Sequence, residues 1–401
     1  MTQVQHTAAP ASRSVRSDRL PLAGLLALAA GGFVTIMLET MPAGILPAIS
    51  RGLGVSQASA GQTVTVFAIG SIAGAIPLIS ATMQWPRRRL LLLALAGYVV
   101  TSIATGLSGS FALTLAARFV AGVFAGALWG LTAGYARRMV QPHQYGKAVT
   151  IALSGTPVAL AIGTPAGTLL AGLIGWRGTF GVMALLAALV IAWVLAAVPN
   201  HPGQAKGERT PLGRVFTIPG VLPGVAVILL YVMAHNVLYT YIASFLAPEG
   251  MGGSVSAVLL VFGAASLVSI WITGIHIDRH LRRLMITSTA LFALAVLALA
   301  LLADLPAAVF ISAALWGLAF GGAASVLQTA VSGAAKDAVD TVQSVAVTGW
   351  NLGIAGGGIL GGLLLGGLGA LSLAWGSLAL LAAALIIVIA GRRHAFPAHR
   401  E

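Results

Sequence analysis

The chain has 401 residues, of which 58% are hydrophobic and only 8% charged, with a formal net charge of +13 and no cysteine. A soluble globular protein carries roughly 25% charged residues, so this composition excludes one and points to a polytopic membrane protein. The missing cysteines exclude disulfides, iron-sulfur clusters and thiolate zinc sites, and apolar runs of about 20 residues without alternation exclude an outer-membrane barrel. Arg13, Arg16 and Arg19 precede the first apolar run in the manner of a signal peptide. That run is too long and further spans follow it, so an uncleaved first span behind a short cytoplasmic arm, residues 1–19, is expected.

Apolar runs set against charged or turn-rich breaks predict twelve transmembrane helices, near 20–48, 58–82, 89–107, 110–136, 147–173 and 178–197, then 216–246, 254–276, 284–302, 306–333, 341–367 and 371–391. If the spans alternate sides, all of the 22 Lys and Arg except Arg51, Arg118 and Arg177 fall on one side. The positive-inside rule makes that side cytoplasmic, together with both termini. The basic charge therefore belongs to topology and implies no nucleic-acid partner. The hydrophilic loop carrying His201, Lys206, Glu208 and Arg209 divides the spans six and six. It predicts two six-helix halves, 20–197 and 216–391, a cytoplasmic linker at 198–215 and a cytoplasmic tail at 392–401.

The first span contains Glu39-Thr-Met-Pro42-Ala-Gly-Ile-Leu-Pro47, and Glu39 is the only ionisable side chain between Leu20 and Ser50. It lies within about four residues of the middle of the run, roughly 6 Å along a helix. A charge at that depth costs at least ~2.5 kcal/mol to insert, so an acid there marks a functional site or a water-lined cavity. The other eight acids sit at loops or ends. Small or polar Gly32, Thr35 and Ala43 follow Glu39 at helical spacing, which turns that face toward the bundle. The two prolines each remove a backbone donor, tolerated in a membrane only where protein or water satisfies the freed carbonyl.

An offset of about 194 residues relates the halves: Gly163, Gly167 and Gly172 correspond to Gly357, Gly361 and Gly366, and the loop at Gln84 to Leu90 corresponds to the loop at Asp278 to Leu284. Internal duplication of this kind is a mark of secondary transporters. With the span-one stretch, these loops, Arg118-Phe-Val-Ala-Gly122-Val-Phe-Ala-Gly126, Gly175-Trp176-Arg177 and Asn351-Leu-Gly353-Ile-Ala, the chain resembles the major facilitator superfamily over nearly its whole length. Within it the resemblance is to the drug and sugar efflux branch, the proton antiporters related to arabinose-efflux permeases. It departs at the loop between spans two and three, where Ser80 and Gln84 stand in place of the branch's Gly and acid, and in span five, where Pro165 is displaced by one.

The resemblance implies an all-helical fold of two pseudo-symmetric halves working by alternating access as a monomer, with a small-molecule substrate, protons, the bilayer as surroundings and no cofactor beyond the proton gradient. Glu39 is read as the proton carrier, neutral when occluded and ionised when wet, with Arg118 and His235 at similar depth as its companions in coupling. Thr35, Trp129, Asn236, Tyr239, Trp316, Gln328, Trp350 and Asn351 are expected to line an amphipathic cavity for a sugar or drug-like amphiphile. Arg88, Arg89, Asp278, Arg279, Arg282 and Arg283 are expected to form a cytoplasmic latch between conformations. An uptake symporter or facilitator of the same fold is the competing reading. No phosphate loop, HExxH zinc motif or GxSxG elbow occurs, which argues against an enzyme.

Overall fold

The computed structural model describes residues 20–82, 84–141, 144–202, 217–334, 339–392 and 396. The predicted arm, most of the linker and tail, and the side chain of Asp278 lie outside the described residues. Every element described is helical. The first half comprises α1 (Leu22–Gly44), α2 (Leu46–Leu53), α3 (Gln57–Ala81), α4 (Arg87–Leu107), α5 (Phe111–Arg138), α6 (Tyr145–Leu153), α7 (Gly155–Val158) and, after a wide π-turn at Ala159–Gly163, α8 (Thr164–Ala197). The second comprises α9 (Val221–Thr240), α10 (Ile242–Leu246), α11 (Val255–Leu302), α12 (Pro306–Phe320), α13 (Ala323–Ala334), α14 (Val339–Leu368) and α15 (Leu371–Ala390).

Ten stretches among the described residues are long and apolar enough to cross a membrane. One of them, Lys147–Ala197, is 51 residues long and is bent back at Gly175, whose φ of 77° is open to glycine at no steric cost. Counting that stretch as two passes and adding the 25-residue α3 accounts for the twelve predicted spans. Leu107, Leu173, Trp271 and Ile386 stand exposed on the outer surface, as lipid-facing side chains do, whereas Arg118, Thr35 and Tyr98 are buried inside. That apolar-out, polar-in arrangement is what a bilayer solvent selects.

The backbone itself carries the duplication. Span one breaks at Ile45 (φ −119°, ψ 13°) between α1 and α2, after Pro42 has removed a donor from the helix ladder. Span seven breaks at Tyr241 (φ −111°, ψ 18°) between α9 and α10 without any proline. The two breaks are counterparts, separated by nearly the same stretch of chain as the paired loops. The turns between the last two spans of each half use Gly175 and Gly369, both at positive φ and again in corresponding places. Helix contacts repeat as well: a Cβ on Gly122 would collide with the Phe67 carbonyl oxygen, and one on Gly317 would collide with that of Phe262. In each half, glycine lets the fourth span press onto the backbone of the second.

Contacts between halves concentrate toward the end that holds the breaks. The Tyr241 hydroxyl, donating within its own half to the Gly358 carbonyl (2.8 Å), reaches to 3.3 Å from the Ala58 carbonyl of the other half, and the Gln62 amide donates across to the Gly358 carbonyl (3.3 Å). Nearer the middle, Gly263 of α11 lies so close to the π-turn that a Cβ there would strike the Ala161 backbone. Toward the opposite end, Gly134 and Gly274 face open space, and Gln328 is exposed.

Candidate functional site

Span one presents Thr35 and Glu39 one helical turn apart on a single face. Thr35 gives its only hydroxyl proton to the Gly31 carbonyl at 2.8 Å. Its 3.0 Å contact with Tyr98 is therefore a bond that Tyr98 donates. Thr35 and Tyr98 are both fully buried, so the predicted cavity role of Thr35 is corrected. It orients a tyrosine from span three and has no access to a cavity. Glu39 is half-buried.

Arg118 approaches the same region from α5 and is buried. Its Nε donates to the Thr63 carbonyl at 3.1 Å, and its guanidinium lies 4.5 Å from the centroid of the Phe67 ring. A backbone acceptor and an aromatic face hold the cation on one side. Its Nη2 has no hydrogen-bond partner among the described residues. Glu39, Arg118 and Tyr98 lie near one another in the first half. Sequence reasoning missed Tyr98, which the structure adds to the surroundings of span one through Thr35.

A second polar group adjoins Glu39. Thr40 donates to the Ile36 carbonyl at 2.8 Å and shares a 2.8 Å hydroxyl contact with Thr164 of span five. The Tyr239 hydroxyl comes close to both threonines from the other half, without an aligned hydrogen bond among the described residues. Threonine and phenol groups from spans one, five and seven therefore meet where the halves face each other.

His235 has a different setting from the one expected. The Trp316 indole N–H, which can only donate, bonds His235 Nδ1 at 3.1 Å. Nδ1 must then carry a lone pair. The ring also stacks on Phe320 with centroids 3.7 Å apart and on Tyr239 at 4.8 Å, with Phe262 at 5.7 Å. In this conformation His235, expected as a companion of Glu39 in coupling, is a hydrogen-bond acceptor inside a closed aromatic cluster. Trp316 is 1% exposed and is corrected likewise, from cavity lining to the cluster's interior.

The other predicted cavity residues separate by access. Trp129, Trp350 and Asn351 are half-buried and Gln328 is exposed, so these four reach open space from spans four, ten and eleven. Asn236 is buried, its amide donating to the Val232 carbonyl of its own helix at 3.0 Å.

The arginines of the predicted latch mostly act within their own halves. Arg88 donates to the Leu195 carbonyl at the end of span six. Arg282, its counterpart in the second half, donates to the carbonyls of Val388 (3.0 Å), Ile389 (2.9 Å) and Phe396 (3.0 Å) at the end of span twelve. Each arginine caps the negative end of a helix. Arg89 is exposed and lies 4.6 Å from the centroid of the Trp85 ring; Arg279 and Arg283 are exposed. Among the described residues, no group of three or more His, Asp or Glu could hold a metal ion.

A family model for the Major Facilitator Superfamily matches residues 28–280 and 252–400. The chain belongs to the Major Facilitator Superfamily. It is 30% identical over 289 residues to a purine ribonucleoside efflux pump of Escherichia coli (strain 536), covering 71% of this chain and 72% of that protein. A protein of the same name from Shigella dysenteriae (strain Sd197) is 28% identical over 288 residues, covering 71% and 73%. The fold matches the crystal structure of a D-xylose-proton symporter with a TM-score of 0.79 at 13% identity, over 95% of this chain and 99% of that one. The superfamily member described here is accordingly a multi-pass membrane transporter of small molecules and not an enzyme.

Proposed function

We propose that this transporter exports a small, neutral, hydroxyl-bearing molecule across the bacterial inner membrane in exchange for protons, by alternating access between the halves 20–197 and 216–391. The observation that carries the reading is the placement of Glu39, half-buried at mid-membrane depth, within electrostatic reach of an arginine that has one hydrogen-bond donor unfilled. An acid so placed exchanges protons when water reaches it and accepts a hydroxyl or amine of a substrate when water is excluded. Proton and substrate then compete for one carboxyl.

Three observations support the rest. The relatives named as purine ribonucleoside efflux pumps favour export and a substrate bearing both a ring and hydroxyls. The half-buried indoles of Trp129 and Trp350 offer stacking faces, the Gln328 amide offers a paired donor and acceptor, and Asn351, whose amide donates to the Val347 carbonyl at 3.0 Å, offers its carbonyl oxygen. The sorting of Lys and Arg argues for cytoplasmic termini, and with that topology the contact of Tyr241 with Ala58 lies on the outer side.

Inverted membrane vesicles with an imposed proton gradient test the reading, with labelled inosine, adenosine and pentoses as probes. Accumulation that requires both the gradient and Glu39 is expected for at least one probe. Accumulation that survives Glu39→Gln at every pH would overturn the coupling role, and uptake in right-side-out vesicles driven by an inward gradient would reverse the direction.

A further inference from the structure

The pseudo-symmetry offers an internal control for the polar cluster in the first half. Glu39 corresponds to His235 and Thr35 to Tyr231, since the members of each pair stand equally far ahead of the breaks at Ile45 and Tyr241. By the offset that relates the paired loops, Tyr98 of the third span corresponds to Phe292 of the ninth. Contacts repeat with the positions: Tyr98 meets Thr35 at 3.0 Å, and Phe292 meets Tyr231 edge-on with centroids 5.4 Å apart. Both rings are fully buried. A benzyl ring thus fills this slot in both halves, but only the half that holds the acid adds a hydroxyl to it. Packing alone does not call for that oxygen.

Its orientation is determined by counting protons. Thr35 has committed its proton to Gly31, so Tyr98 must donate to Thr35, and the phenolic oxygen keeps only lone pairs for its remaining neighbours. Thr35, which this oxygen touches, stands one helical turn from Glu39 on the same face of α1, and Arg118 of α5 is buried in the same half. The other titratable groups around Glu39 are Tyr239 of α9, which lies on the Thr40 and Thr164 side, and His235, which is held as an acceptor by Trp316.

We propose that Tyr98, aligned by Thr35, is a positioning residue for proton exchange at Glu39: its oxygen presents lone pairs to the site, favouring the protonated carboxyl and the positive guanidinium over a bare carboxylate. This rests on Glu39 being the proton carrier. No bond other than a hydrogen bond is made, and the proton moves only on and off Glu39.

Infrared difference spectroscopy of the purified full chain in lipid, titrated with acid and without any substrate, tests this. The Glu39 band is identified as the protonated-carboxyl signal that disappears in Glu39→Gln. Tyr98→Phe is expected to fold, because Phe292 occupies the equivalent slot, and to move the midpoint of that band to lower pH by about half a unit or more, roughly a threefold change in proton affinity. Thr35→Val frees the Tyr98 proton to turn toward the carboxylate and is expected to move the midpoint the same way. The reciprocal Phe292→Tyr should leave it in place. A midpoint unchanged in both Tyr98→Phe and Thr35→Val would overturn the inference while leaving Glu39 as the carrier. If Glu39→Gln removes no titrating band, the reading of Glu39 falls and this inference falls with it.

Discussion

Glu39 and His235 occupy the same position in two copies of one structural unit, each six residues before the point where its span breaks. One copy keeps an acid beside an arginine with a free donor; the other keeps a neutral imidazole bonded to an indole. On the function proposed above, proton exchange belongs to the first half and rigid packing to the second.

Substitution at the two sites should separate accordingly. Glu39→Gln is expected to reduce gradient-driven accumulation to background while leaving the folded protein intact. His235→Leu strands the buried Trp316 N–H and is expected to cost about 1–3 kcal/mol of stability. Thermal unfolding of the purified variants, beside vesicle transport, checks both, with coupling retained in the histidine variant.

Loosening the contact made by Tyr241 should expose the face it closes. Because the chain has no cysteine, a single introduced Thr65→Cys can be followed without background. Adding Tyr241→Phe removes a hydrogen bond of about 1 kcal/mol. Labelling by a membrane-impermeant maleimide from outside is expected to rise by roughly fivefold, and an unchanged rate would deny that Tyr241 holds this side shut.

The two capping arginines should behave as structural groups. Arg282→Gln removes donors to three carbonyls and is expected to lower stability by about 1–3 kcal/mol. Arg283→Gln, at an exposed neighbour, is expected to stay within about 0.5 kcal/mol of the parent. Unfolding curves for the pair check this, and transport should persist in both at temperatures where they remain folded.

Close helix approach predicts a sharper penalty at glycine. Gly122→Val places side-chain atoms against the Phe67 backbone, where neither partner can yield by changing a rotamer. Loss of folded yield is expected for Gly122→Val and for its counterpart Gly317→Val. Gly134→Val, facing open space, should express normally, as measured by monodisperse recovery in detergent.

How much of this is legible in the sequence varies with the kind of signal. Glu39 stands alone in an apolar run, and the cost of burying a carboxylate makes such a residue conspicuous. The offset between the halves is visible at the loops carrying Arg88 and Arg282, whose side chains cap equivalent helix ends. Tyr98 is invisible for the opposite reason: a tyrosine in an apolar span looks like ordinary core, and its partner Thr35 lies 63 residues away. Thr63 anchors Arg118 through a carbonyl, a group every residue possesses, so no side-chain pattern announces it. His235 and Trp316 both stand out in the sequence, but their bond depends on a tertiary approach across 81 residues, and that bond turns a supposed cavity pair inward.

The contact between Gly263 and the π-turn at Ala161 brings bare backbone against bare backbone. At Gly263 there is no side chain to disengage if one half turns on the other, so this point resists rotation little. On the alternating-access reading proposed above, the barrier to switching resides at the rim, where Tyr241 and Gln62 must let go of carbonyls, and the centre serves as a smooth bearing. Variants that speed or slow turnover without altering affinity should accordingly map to the rim.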